Sequence, residues 1–142
     1  MKENLINEPY NLPDNLFKDI NYFITGSRRF GTNNKDSDLD VCVCIDSIDV
    51  IKSKISSYIE SDYNRGIKFF DKFNLQINVI PLHPVDYVTW YHAANLMDLI
   101  PNKKSKSRME LHGLYQTFIG LMKSYFVNEN INIDNYNSYC IK

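Results

Sequence analysis

The sequence predicts a small α/β or α+β domain: a mixed β-sheet with helices packed on one face and two helices at the C-terminal end. Three observations predict it. Four short stretches carry strand-like runs of apolar residues, others repeat apolar residues at helical spacing, and the two kinds interleave along the chain. The chain has 142 residues, one domain's worth. Its 44% apolar and 23% charged residues are ordinary globular composition.

The elements follow in order. Asp14 can cap a helix from Pro13 to Ile20, with Leu16, Phe17 and Ile20 on one face. Asn21 to Thr25 reads as a strand ending at Gly26, and Gly26 to Ser37, polar with two glycines and Asn33-Asn34, as at least partly a loop. Asp38 to Ile45 alternates as a strand. Ser47 can cap a helix running to about Ser61, with Ile48, Ile51, Ile55 and Ile59 on one side. Gly66 to Phe70 and Leu75 to Pro81 form a hairpin around Asp71-Lys72-Phe73-Asn74. Pro84 opens a helix carrying Tyr87, Trp90, Tyr91, Ala94 and Met97, which ends at Pro101. After a basic connector, Arg108 to Phe126 forms the last helix, with Leu111, Tyr115, Phe118, Met122 and Tyr125 facing inward. The expectation is a single domain over 1–142 with its core at about 13–126. The tail from Val127 to Lys142 is expected to be loose unless Ile131, Ile133, Tyr136 and Tyr139 dock.

Composition excludes several classes. A net charge of -1 does not suit a chain that coats nucleic acid by bulk charge. No run of 18 apolar residues reads as a transmembrane helix, and the first eight residues lack the apolar core of a signal peptide, so no membrane partner is expected. Cys42, Cys44 and Cys140 make neither a disulfide framework nor a zinc spacing, which points to a reducing cytoplasm. Cys42 and Cys44 read as small buried hydrophobes. His83, His92 and His112 have no partner at ligand spacing, and Tyr87, Trp90 and Tyr91 read as core. Lys103, Lys104, Lys106 and Arg108 read as a solvated basic loop, or as a contact for a nucleic-acid backbone.

The chemistry concentrates between Phe23 and Val41. A strand runs into Gly26-Ser27, where a glycine lets backbone N–H groups approach an anion and the serine adds a donor. Arg28, Arg29 and Lys35 place positive charge nearby, which suits a phosphate cradle. Ten residues after Ser27 comes Asp38-Leu39-Asp40, at the start of a strand. Residues two apart on a strand point the same way, so the two carboxylates converge while Leu39, Val41 and Val43 face the other side. Paired carboxylates repel unless a hard cation lies between them, so the pair is a candidate Mg²⁺ or Mn²⁺ ligand set. A phosphate cradle beside it suggests metal-assisted phosphoryl or nucleotidyl transfer.

Gly26-Ser27, ten residues, then Asp38-Leu39-Asp40 resembles the signature of the DNA polymerase beta-like nucleotidyltransferase superfamily, which includes antibiotic nucleotidyltransferases, small nucleotidyltransferase antitoxins and CCA-adding and poly(A) enzymes. Gly31 and Ser37 also match the small members. The resemblance implies that Gly26-Ser27 holds the triphosphate and that Asp38 and Asp40 bind two Mg²⁺ ions. The reaction it implies moves a nucleoside monophosphate from an NTP to a protein, RNA or small-molecule acceptor and releases pyrophosphate. The superfamily also places a third carboxylate on a neighbouring strand. The candidate strand, Asn74 to Ile80, presents Gln76 and Asn78 on its polar face, so Asn78 stands at that position. An amide carries no charge and cannot act as a general base. Asp71, Asp36 or an acidic acceptor would then have to compensate. The rival expectation is a catalytically impaired, nucleotide-binding or antitoxin-like regulatory relative; a third is a nucleic-acid module using the basic run. Small superfamily members often work beside a second helical domain, so a homodimer or a partner subunit is expected to close the cleft.

Overall fold

A computed structural model describes residues 15–61 and 66–140. The strands are β1 (Tyr22–Thr25), β2 (Leu39–Cys44), β3 (Ile59–Glu60), β4 (Ile67–Phe70) and β5 (Gln76–Leu82). The helices are α1 (Ser27–Phe30), α2 (Ile48–Ser53), α3 (Pro84–Asp98) and α4 (Arg108–Phe126). The sheet order is β1-β2-β5-β4-β3. Only β2 and β5 run parallel; the other neighbours are antiparallel, so this is the mixed sheet of an α+β fold.

Strand alternation divides the core in two. Ile24, Leu39, Val41, Val43, Ile67, Phe69, Ile77 and Val79 point to one face, where Leu16, Phe17, Ile20, Ile48 and Ile51 cover them. Phe23, Cys42, Cys44 and Leu82 point to the other face, under α3 and α4. Cys42 and Cys44 are fully buried there as small apolar residues, and burial pushes both thiols upward, Cys44 to about 11. The aromatic stripe of α3 is core: Tyr87 and Tyr91 meet Phe23 edge-on, and Trp90 meets Tyr115.

The structure corrects three local expectations. Residues 15–19 form successive turns rather than a helix, because Asn15 and Asp19 take left-handed backbone conformations; Pro13 and Asp14 lie outside the described residues. Gly26 to Ser37 is partly loop, with one helical turn, α1, inside it. The helix after Ser47 stops at Ser53, in a serine-rich stretch where the Ser53 hydroxyl bonds to its own helix at the Val50 carbonyl. Ile59 then leaves the helical face and pairs across to Lys68. On α4 the inward position is Phe126, one residue beyond the expected Tyr125, which is exposed. The tail docks: Tyr136 and Cys140 are buried, and the His92 Nε2 lies 2.7 Å from the Tyr139 carbonyl oxygen.

One buried polar contact ties the helical layer to the functional end of the sheet. The Thr25 hydroxyl donates to the Tyr115 hydroxyl at 2.6 Å, directly before Gly26. Burial raises the Tyr115 pKa, so the phenol stays protonated at any ordinary pH. Tyr115→Phe leaves the buried Thr25 hydroxyl without this partner, and chemical denaturation should show a loss of about 1–3 kcal/mol.

Candidate active site

The site forms where β1 ends and β2 begins. Gly26 has φ +81° and ψ -164°, a combination essentially reserved for glycine. The turn it makes lets the Gly26 carbonyl accept from the Arg29 and Phe30 N–H groups, both at 3.0 Å, and so starts α1. The first N–H groups of a helix have no partner within it, so the Ser27 end of α1 is the donor end of this turn. Gly26 also packs against Asp40: a Cβ at position 26 would overlap the Asp40 Oδ2. The glycine turn and the second carboxylate therefore occupy one place.

Asp40 is partly buried at its register position between Thr25 of β1 and Asn78 of β5. The Asn78 Nδ2 donates to the Asp40 Oδ1 at 3.1 Å. Asp38, half-buried just before β2, has the amide of Gln76 beside it. With that amide turned nitrogen-first, the nitrogen lies 2.6 Å from Oδ1 and 3.2 Å from Oδ2. Each carboxylate thus faces one amide donor from β5. Burial holds the Asp40 carboxyl above its ordinary value, and the like charge of Asp38 adds to this. The Asn78 hydrogen bond, Lys68 and Arg108 act in the opposite direction.

A turn that presents backbone donors, built against a carboxylate pair at the head of the adjacent strand, decides the family. A family model described as a nucleotidyltransferase domain matches residues 14–110, about two-thirds of the chain. The chain belongs to the nucleotidyltransferase domain family. The match runs from the first turns through all five strands to the start of α4, and so contains every residue of the carboxylate site. General nucleoside-monophosphate transfer is the chemistry this nucleotidyltransferase domain supports. Comparison with curated proteins and with solved structures gave no significant match.

In this nucleotidyltransferase domain the basic residues of the loop are placed differently from one another. The Arg28 Nε donates to the Ser37 carbonyl at 2.9 Å, stapling the loop that delivers Asp38. Arg29 pairs with Asp98 at 2.6 Å and also donates to the Asn95 side chain and the Ile24 carbonyl, tying α1 to α3. Lys35 sits on an exposed turn. Asp71 lies with Phe69, Leu16 and Ile55 on the opposite face from Asp40, where its Oδ1 accepts from the Phe73 and Leu75 N–H groups, both at 2.8 Å. It closes the hairpin and cannot stand in for the third carboxylate. Asp36 is exposed in the loop.

Among the described residues, no three His, Cys, Asp or Glu side chains come together. The donor set is two carboxylates, which are hard oxygen ligands, each with an amide nitrogen of β5 turned toward it. The like-charge strain on Asp40 is what a cation between the carboxylates would relieve. The set fits one divalent cation better than two, because a second cation ordinarily needs the charge that Asn78 lacks. Sequence reasoning passed over Gln76 as a partner of Asp38, Lys68, and the Thr25–Tyr115 bond. Gln76 was findable from strand alternation; Lys68 depends on a hairpin register that the turn residues do not announce, and the Thr25–Tyr115 pair, 90 residues apart, left no local signal.

Proposed function

We propose that this chain transfers a nucleoside monophosphate from an NTP to an acceptor, with the triphosphate held at Gly26 and Ser27 and one Mg²⁺ or Mn²⁺ held by Asp38 and Asp40. The packing of Gly26 against Asp40 carries this reading, since it brings a phosphate-binding turn and a cation-binding carboxylate to one spot. Bound there, the cation would neutralise phosphate charge and orient the triphosphate. The chain's own part is positioning: Arg28 fixes the loop before Asp38, Arg29 fixes α1 on α3, and Lys35, exposed on its turn, would supply a cation to the outer phosphates. The catalytic set we assign is Asp38, Asp40 and Asn78, with Gly26, Ser27, Arg28, Arg29 and Lys35 as the nucleotide-binding set. A homodimer or a partner subunit would close the cleft over the exposed part of the sheet. No helix among the described residues is long and apolar enough to cross a membrane.

A second reading has its own observation. Both carboxylates already face amide donors from β5, which suits a nucleotide-binding regulator with impaired turnover. Pyrophosphate release with each NTP, in Mg²⁺ and in Mn²⁺, separates the two, with Asp40→Ala as control. Release that disappears in the variant supports the enzyme; NTP binding without release supports the regulator. Asn78→Asp replaces the amide donor with a third carboxylate. It should raise Mg²⁺ affinity by about tenfold, read by metal titration, and should turn a silent regulator into a protein that releases pyrophosphate.

A further inference from the structure

Cross-strand register builds one row of side chains on the site face: Thr25, Asp40, Asn78, Lys68 and Ile59, running from β1 to β3. The row changes character at Asn78. On the β1 side lie the glycine turn and the carboxylates. On the other side the neighbour of Asn78 is a cation, Lys68, and the side chains beyond are apolar. Phe70, two residues along β4 on the same face, is 58% exposed, and Ile59 is 67% exposed. Among the described residues, the Lys68 side chain makes no hydrogen bond or ion pair, and the β4–β5 register sets it directly beside Asn78, which itself bonds Asp40.

In-line displacement at phosphorus requires the nucleophile to enter opposite the leaving pyrophosphate. If the outer phosphates lie over Gly26 and Ser27, the acceptor enters over β5 and β4. A hydroxyl acceptor entering there would need a base, and the nearest side chains are an amide and an ammonium ion. An acceptor that is already anionic needs no base and is attracted by the cation. We propose, on the transferase reading above, that Lys68 forms an acceptor subsite for an anionic oxygen nucleophile, a phosphate monoester or a carboxylate. The acceptor oxygen forms its bond to the α-phosphorus with its own electron pair. The bond from that phosphorus to the β-phosphate oxygen breaks, and pyrophosphate leaves with those electrons. No proton has to leave the nucleophile.

The test has a binding arm and a turnover arm, both on the full chain. Methyl phosphate is titrated against the protein and followed by backbone amide NMR. The subsite predicts shifts centred on β4 near Lys68 and on the adjacent β5 around Asn78. It also predicts binding weakened at least tenfold in Lys68→Ala, retained in Lys68→Arg, and unchanged in Lys72→Ala on the hairpin turn. Pyrophosphate release is then measured with ATP and Mg²⁺ plus methyl phosphate, acetate or methanol. Release with either anion but not with methanol supports the proposal, and the choice between them identifies the acceptor chemistry. Methanol working as well as the anions, or methyl phosphate binding unaltered in Lys68→Ala, overturns it. Anion binding that depends on Lys68 with no release from any acceptor leaves the subsite standing and removes the transferase reading instead.

Discussion

Gly26→Ala should lose NTP binding by more than tenfold and lower the melting temperature by roughly 5–10 °C. Two effects add. The backbone at Gly26 lies in a region closed to other residues, which alone costs about 1–3 kcal/mol. The new methyl group would also overlap the Asp40 Oδ2, and Asp40 is held in place by Asn78. Gly31→Ala separates the two effects. Gly31 also has a positive φ, +89°, but no atom lies within 4 Å of where its Cβ would be. It should show the backbone cost and keep nucleotide binding. Calorimetric titration and thermal unfolding of both variants check this; equal loss of binding in the two would mean that the Gly26–Asp40 contact is irrelevant to the nucleotide.

Asp40→Asn should abolish cation-dependent nucleotide binding and make the folded protein more stable at neutral pH. The sign follows from the carboxyl's environment. Its folded pKa is raised above the ordinary 3.8, chiefly by burial and then by Asp38. A carboxyl with a raised folded pKa binds its proton more tightly in the native state. Its contribution to stability is therefore present at low pH and is lost as pH rises through the unfolded value and then the folded one. At pH 7 the ionised carboxylate is a cost, and the amide removes it. Thermal unfolding should show the variant above the wild type at pH 7, with the gap closing as pH falls toward 4. A variant less stable than the wild type at pH 7 would contradict the assignment of Asp40 as a strained, functional carboxylate.

The fold was largely legible because the alternation along β2, β4 and β5 is strong. Leu39, Val41 and Val43 against Asp40, Cys42 and Cys44 gives the two faces of β2 without further information, and α4 was delimited from Arg108 to Phe126 by its period alone. What failed was local backbone chemistry. Asn15 and Asp19 break a helical pattern through left-handed conformations that composition does not announce, and Ile59 follows its strand partner rather than its helical neighbours. Long-range β pairing overrides a short periodic run.

The candidate site was half legible. Gly26, Ser27, Asp38 and Asp40 lie within one local segment, and Asn78 follows from alternation along β5. Lys68 depends on register. A four-residue turn at 71–74 would pair Phe70 with Leu75 and place Ile67, not Lys68, opposite Asn78. The Asp71 carboxylate accepts from the Leu75 N–H and so extends the loop to five residues, pairing Phe70 with Gln76 and Lys68 with Asn78. A slip of one residue exchanges the two faces of a strand, so a single turn hydrogen bond decides which side chain flanks the site. Arg28 and Arg29 show the converse: their sequence position near the glycine turn gave no hint that their guanidinium groups bond within the fold.

Whether Gly26, Ser27, Asp38 and Asp40 form one cation-dependent nucleotide site is read most directly by calorimetric titration of each NTP into the wild type and into Asp40→Asn, with Mg²⁺ and with the metal chelated. At least one NTP should bind the wild type in a Mg²⁺-dependent way, and none should bind the variant. NTP binding that is equal in the two proteins, or indifferent to Mg²⁺, would contradict it.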